Sequence, residues 1–219
     1  MAMEFYWGSG SPFAWRVMLT LEVKKLPYES KLLEFSKGEH KSAEYLKLNP
    51  RGKVPTLKDG DFAIHESLAI MAYLDRKYPE PPLFGESPQE TGSIWRLLME
   101  CETSLVRAAE KVVRPIFFGQ GLDKVDEIQQ GAQTVRQEFK LLDESLANRA
   151  WLIGDNLSAA DIGVFPVIQL FLRAASKEAA QPFNLGLLPL AQTYPQLAEW
   201  AQRIEALPNY QRTYPPHWR

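Results

Sequence analysis

Apolar residues first appear as a short dense run, Phe5-Tyr6-Trp7, which breaks at Gly8-Ser9-Gly10-Ser11-Pro12 and resumes with a different spacing. Beyond the break, Phe13, Val17 and Leu21 recur every fourth residue, as do Ala14 and Met18. The pattern predicts a buried strand, a turn, and a helix with one continuous apolar face. Ser11 is a preferred N-cap, and Pro12 suits the first helical position, where its missing N–H costs nothing. Leu26-Pro27 ends that helix, and residues 28–35 read as a second strand. A polar turn at 36–41 precedes a short helix at 43–48, and Asn49-Pro50-Arg51-Gly52 is a further turn signal. Extended structure resumes at 53–57. Pro55 has no N–H for a ladder, so it belongs at a sheet edge or at a special bond. Asp59-Gly60 is a strong hairpin dipeptide, residues 62–65 form the returning strand, and Glu66-Ser67 opens a helix striped by Leu68, Ile70, Met71 and Leu74. Strand, helix, strand, helix, hairpin, helix describes a small α/β layer domain.

The proline-rich stretch at 78–85 lacks periodicity and is expected to be a stiff connector at a domain boundary. After it the pattern is helical throughout. Trp95, Leu98, Met99, Glu102, Leu105 and Val106 mark one long helix, and Ile128, Val135, Phe139, Leu142 and Leu146 mark its partner. In Leu157-Ser158-Ala159-Ala160-Asp161-Ile162, Ser158 caps a helix, Asp161 takes the reciprocal capping-box position, and Leu157 with Ile162 forms a hydrophobic staple.

A chain of 219 residues holds one large domain or two modest ones, and its net charge of −2 gives no support to nucleic-acid binding. The first residues lack the basic start and apolar run of a signal peptide, and the most apolar later stretch, 163–172, is too short to span a bilayer. No membrane association is expected. Cys101 is the single cysteine, which excludes an internal disulfide and fits the cytoplasm. His40, His65 and His217 show no metal-ligand spacing, so no metal is expected.

Ser11 sits where unpaired backbone N–H groups and a helix dipole favour an anion. A phosphate fits poorly: Gly8-x-Gly10 is followed by bulky Phe13 where the dinucleotide fingerprint needs a small residue, and no Gly-Lys-Ser/Thr follows. An anion site and a plain helix cap both remain open on these residues alone.

Three motifs in fixed order narrow the choice. Ser11-Pro12-Phe13 with Arg16, Asn49-Pro50-Arg51-Gly52-Lys53-Val54-Pro55, and Glu66-Ser67-Leu68-Ala69-Ile70 resemble the glutathione-binding domain of cytosolic glutathione transferases, especially the serine-dependent theta, zeta and tau types. The resemblance covers nearly the whole chain. It implies an α/β thioredoxin-like N-terminal domain at 1–80, a linker at 81–92, and an all-α helical-bundle domain at 93–219. It also implies a cis bond at Val54–Pro55 and glutathione as co-substrate.

By this resemblance, the main chain of Val54, turned outward by Pro55, pairs with the cysteinyl backbone. Ser67 takes the γ-glutamyl carboxylate, Glu66 opposes the ammonium or favours the helix dipole, and Lys53 and His40 meet the glycine end. Ser11 becomes the catalytic residue, donating its hydroxyl to the sulfur. Lowering the thiol pKa by about two units takes about 2.7 kcal/mol of preference for the anion. A charge-assisted hydrogen bond of about 1.5–3 kcal/mol, with the helix terminus, suffices. Ser9 is the rival donor, and Tyr6 fits packing within its strand. The resemblance further implies a homodimer and an apolar electrophile site lined by the long helix pair and the tail, with Arg107, Phe117, Phe118 and Trp218 as candidates. The expected activity is conjugation of glutathione to a small apolar electrophile. The alternatives are a glutathione-dependent isomerase, dehalogenase or peroxidase, or a non-catalytic binding module. A serine at position 11 cannot form a mixed disulfide, which disfavours reductase chemistry. Ser11-Pro12-Phe13 also departs from the zeta-type Ser-Ser-Cys cluster.

Overall fold

Met3, Phe5 and Trp7 are buried while Glu4 and Tyr6 are only partly so, the alternation of a strand with one face on the core. The computed structural model describes residues 2–219. In chain order it contains β1 (Met3–Trp7), α1 (Pro12–Val23), β2 (Tyr28–Leu32), short 3-10 turns at Phe35–Lys37 and Glu39–Lys41, α2 (Ala43–Leu48), β3 (Thr56–Asp59), β4 (Phe62–His65) and α3 (Ser67–Lys77). The strands form a four-stranded sheet in the order β2-β1-β3-β4. β1 is parallel to β2 and antiparallel to β3, which is antiparallel to β4. With α1 and α3 packed through Val17, Met18, Leu21, Ile70 and Leu74 onto Phe5 and Leu57, this is a thioredoxin-like arrangement.

Two strand limits differ from expectation. β2 stops at Leu32, because residues 35–37 turn into a 3-10 helix. β3 starts at Thr56 rather than at residue 53: the Val54–Pro55 bond is cis, and Pro55 stands just outside the ladder it could not donate to. α1 differs as well. Instead of one apolar face, every residue from Ala14 to Glu22 is buried. The side away from the sheet is covered by residues 206–219. The Trp15 indole donates to Thr213 Oγ1 at 2.9 Å, Trp15 meets the rings of Tyr214 and Trp218 nearly at right angles, and Arg212 reaches Glu22 at 3.3 Å.

The helical part comprises α4 (Pro88–Thr103), α5 (Leu105–Phe117), α6 (Val125–Ser145), α7 (Ala159–Ala175), α8 (Leu190–Thr193) and α9 (Pro195–Glu205), and α10 (Tyr210–Thr213) follows. The single long helix expected across 95–106 is two helices parted at Ser104, and its buried stripe is Ile94, Leu98, Cys101 and Leu105, while Met99 is exposed. Ile128, Val135, Phe139 and Leu142 are buried along α6 as expected. No helix among the described residues is long and apolar enough to cross a membrane.

The chain divides into one unit made of everything up to Leu83 together with Ala206–Arg219, and a second unit, Phe84–Glu205. This differs from the expected limits in three ways. Residues 81–83 stay with the first unit because the buried Lys24 ammonium donates to the carbonyls of Tyr78 and Pro81 at 2.7 Å each and pairs with Asp75 at 2.7 Å. Residues 88–92 are already helical: Ser87 and Glu90 form a capping box, with Pro88 at the first turn. Residues 206–219 join the first unit through the contacts of Trp15.

In the second unit, Asp161 is fully buried at the start of α7. Its carboxylate accepts the N–H groups of Leu152 and Ser158, the Ser158 hydroxyl and the Trp200 indole, all at 2.8–2.9 Å. Burial pushes its carboxyl above the ordinary range, against donors that favour the anion. Ser158→Ala should cost about 1 kcal/mol. Asp161→Ala strands several buried donors at about 1–3 kcal/mol each, so its loss should be several times larger. Urea unfolding of both variants checks this: equal midpoint shifts would contradict it.

Candidate functional site

Tyr6, Thr56 and His65 stand in one row across β1, β3 and β4. β1 runs through this row toward Gly8–Ser11, β3 enters it from Val54-Pro55, and β4 leaves it for Glu66-Ser67. The register therefore brings the β1–α1 loop, the cis Val54–Pro55 bond and the start of α3 to the same end of the sheet.

At the first of these, Ser11 is the N-cap of α1. Its N–H donates to Gly8 O at 3.2 Å, and its Oγ accepts the Ala14 N–H at 3.2 Å. The hydroxyl proton of Ser11 has no acceptor among the described residues. The rival Ser9 is engaged: its Oγ lies 2.6 Å from Nδ1 of His217. Tyr6 is engaged too. Its hydroxyl donates to Glu4 Oε2 at 2.7 Å, and burial, then this bond, push its phenol up to about 12.

The second element is built by α2 and the turn after it. Asn49, 2 % exposed, donates to Lys53 O at 2.7 Å and Thr56 Oγ1 at 3.2 Å and accepts the Arg51 N–H at 3.1 Å. The Tyr45 hydroxyl donates to Lys53 O at 2.6 Å and lies 2.8 Å from Thr56 Oγ1. Val54 is thus presented with neither its N–H nor its C=O in a hydrogen bond among the described residues. Lys53 is exposed. Gly52, at φ +56°, lies against the segment carrying His40: a Cβ there would come within 2.9 Å of His40 O. The His40 ring meets Phe35 edge-on at 5.1 Å, and its Nδ1 is enclosed without a partner among the described residues, which leaves Nε2 as its outer nitrogen.

At the third element, Glu66 has φ +73°, a left-handed conformation unusual for a residue with a side chain, and stays exposed. Its carboxylate faces Arg51 at 3.9 Å. Ser67 is buried as the first residue of α3, and its Oγ accepts from Nη1 of Arg16 at 3.3 Å. Arg16 is completely buried and stacks on Phe13 with its guanidinium 5.2 Å from the ring centre. It ties the start of α3 to the helix that Ser11 caps.

Ser11, Val54, Pro55, Glu66 and Ser67 are therefore gathered at one sheet end, with Lys53 and His40 on the adjoining segments. Arg107 is exposed on α5, Phe117 is its last residue, and Phe118 follows it, 71 % exposed under the Arg114 guanidinium. Trp218 differs from an open lining residue: its indole is buried against Trp15 and Tyr214 in the first unit. The residues that position this end but had no role assigned from the sequence are Arg16, Tyr45, Asn49 and His217. Arg16 and Asn49 stand within the sequence motifs quoted above, whereas nothing in the sequence singles out Tyr45 or His217 for this end.

A thioredoxin-like unit combined with a helical bundle defines the class of protein to which the fold belongs. Residues 10–77 match the family model described as "Glutathione S-transferase, N-terminal domain", and residues 107–208 match "Glutathione S-transferase, C-terminal domain". The chain is 32 % identical to glutathione S-transferase A of Pleuronectes platessa over 225 residues, covering 99 % of this chain and 92 % of that one. It is 32 % identical to glutathione S-transferase theta-1 of Homo sapiens over 216 residues, covering 94 % and 83 %. The solved structure of a glutathione S-transferase from the Antarctic clam Laternula elliptica is similar at a TM-score of 0.81 and 30 % identity, covering 100 % of this chain and 94 % of that one. The chain belongs to the glutathione S-transferase family.

Asn49 is the buried side chain on which the turn before Val54 depends. Asn49→Ala should cost about 2 kcal/mol, since it removes the acceptor of the Arg51 N–H and leaves the Lys53 carbonyl with Tyr45 alone. Amide exchange at 51–56 should accelerate more than in the helical unit; uniform acceleration would argue against this local role.

Proposed function

We propose that this protein is a glutathione transferase in which Ser11 holds the glutathione sulfur as a thiolate for attack on a small apolar electrophile. The observation that carries the reading is the Ser11 hydroxyl, whose oxygen is oriented by the Ala14 N–H while its proton has no acceptor among the described residues. A sulfur placed there would accept that proton's hydrogen bond and face the positive end of α1. The rival Ser9 differs from Ser11 in that its Oγ is already paired with a side chain, Nδ1 of His217 at 2.6 Å.

The rest of the tripeptide would be held by groups gathered around the same sheet end. The unpaired N–H and C=O of Val54 suit the cysteinyl main chain, as in strand addition. Ser67, with its oxygen oriented by Arg16, can donate to the γ-glutamyl carboxylate beside the unpaired N–H groups of the α3 first turn. The exposed Glu66 carboxylate suits the ammonium. Lys53 and Nε2 of His40 suit the glycyl carboxylate. In the reaction the thiol gives up its proton to solvent water, the sulfur lone pair forms the new C–S bond, and the leaving group departs with the electrons of the bond it breaks. Arg107, Phe117 and Phe118 are the residues we assign to the electrophile side. A cytoplasmic homodimer, as the family resemblance implies, completes the reading.

Ultraviolet titration of bound glutathione tests it. In the wild type the thiol should ionise about two units below free glutathione, and activity should rise with pH through that point, since only the thiolate reacts. Ser11→Ala should return the thiol most of the way to its free value and move the rising limb of the rate profile to higher pH. Below the wild-type limb, kcat/KM should fall about 10- to 100-fold, as loss of a hydrogen bond to a charged group implies. Retention of the variant on immobilised glutathione would show that the tripeptide grip survives. An unaltered bound-thiol pKa in Ser11→Ala would remove Ser11 from the role.

A further inference from the structure

Segment 206–219 reaches the loop that carries Ser11 and touches it with a polar side chain. Nδ1 of His217 lies 2.6 Å from Ser9 Oγ. The same ring lies so close over the next residue that a Cβ on Gly10 would stand 2.6 Å from its Cε1 and 3.1 Å from its Nε2. The Trp218 indole nitrogen closes the same space, at 3.3 Å from that position. Gly10 has φ +82°, so both the backbone form and the ring above it exclude a side chain there.

The segment presenting this ring is itself anchored. Thr213, almost fully buried, accepts the Trp15 indole N–H at 2.9 Å and donates its hydroxyl to Tyr210 O at 2.8 Å. Trp218 packs edge-on against Trp15 with ring centres 5.6 Å apart, and its main-chain N–H donates to Pro215 O at 3.0 Å. Trp15 is in the first turn of the helix that Ser11 caps. Residues 206–219 therefore hold the helix at one point and the loop before it at another, with Ser11 in between.

We propose that His217 is a positioning residue of the thiolate site: by holding Ser9 and enclosing Gly10, it fixes the loop that aims the Ser11 hydroxyl. This rests on the reading of Ser11 given above and adds a residue that does not itself touch the sulfur. Without the imidazole, Ser9 loses its partner and a space opens over Gly10. The loop then samples positions in which Ser11 Oγ is displaced from the sulfur. Displacements of about 1 Å cost up to about 100-fold in rate when they misalign a reacting group. A loop still tied by the Ser11 N–H to Gly8 O bond should lose less, about 10-fold in kcat. The grip on the tripeptide lies on other elements, so KM for glutathione should change little.

The experiment compares Ser11→Ala, Ser9→Ala, His217→Ala, His217→Asn and the Ser9→Ala/His217→Ala double variant, with glutathione and an aryl halide as substrates. His217→Ala should raise the bound-thiol pKa by about one unit and lower kcat about 10-fold. Ser9→Ala, which removes the same bond but leaves the ring over Gly10, should move both in the same direction by a smaller amount. The double variant should be no worse than His217→Ala, because that variant already lacks the bond to Ser9. His217→Asn, whose amide can occupy the Nδ1 position, should recover most of the loss. A raised thiol pKa in Ser11→Ala with wild-type values in both His217→Ala and Ser9→Ala would overturn the role of His217 and leave the Ser11 reading standing. Wild-type thiol pKa values in all the variants would overturn both.

Discussion

The row formed by Tyr6, Thr56 and His65 is the constraint from which the site follows. Because β3 runs antiparallel to both neighbours, its entry point, the exit of β1 and the exit of β4 coincide at one end. A slip of one residue in either pairing would turn Phe5 or Leu57 out of the core, so the hydrophobic pattern holds the register and the register holds the loops. Polar groups too far apart in sequence to find each other locally are assembled by the pleat of the sheet.

Around that row the polar side chains are held by buried partners. Arg16 costs much to bury, and it is retained where its guanidinium has the Ser67 hydroxyl and the Phe13 ring to meet it. Asn49 and Tyr45 converge on the Lys53 carbonyl, leaving Val54 as the next residue with unengaged main-chain groups. The outward-facing polar atoms, those of Ser11, Val54 and Glu66, sit on neighbours whose own hydrogen-bonding capacity is largely spent inside the protein. This is the division of labour expected of a preorganised binding surface.

Much of this was legible in the sequence because it is local. The Ser-Pro cap of α1, the hairpin at Asp59-Gly60, the Ser158–Asp161 reciprocal pair and the buried stripe of α6 depend on spacing within a turn or two. The misreadings have local or distant causes of their own. The Ser87–Glu90 box has the same Ser-x-x-acid form as Ser158–Asp161 but falls within residues 81–92, expected as linker, just past the proline-rich stretch. The break between α4 and α5 at Ser104 has no marker in Thr103-Ser104-Leu105, which contains neither Gly nor Pro, and the N–H groups of Ser104 and Ala108 still pair four residues back across it. The burial of α1 from Ala14 to Glu22, the tethering of the connector by Lys24 and the pairing of Ser9 with His217 need partners 57 to 208 residues away, beyond any periodicity.

The covering of α1 by residues 206–219 also sets an order of assembly. A ribosome delivers these residues only after the entire helical unit has been made, so the older, sheet-containing unit must wait, with Trp15 and the outer face of its first helix bare, through the synthesis of more than half the chain. The loop holding Ser11 acquires its cover only after the helical unit has been made, so completion of this end of the sheet reports that translation has passed residue 205.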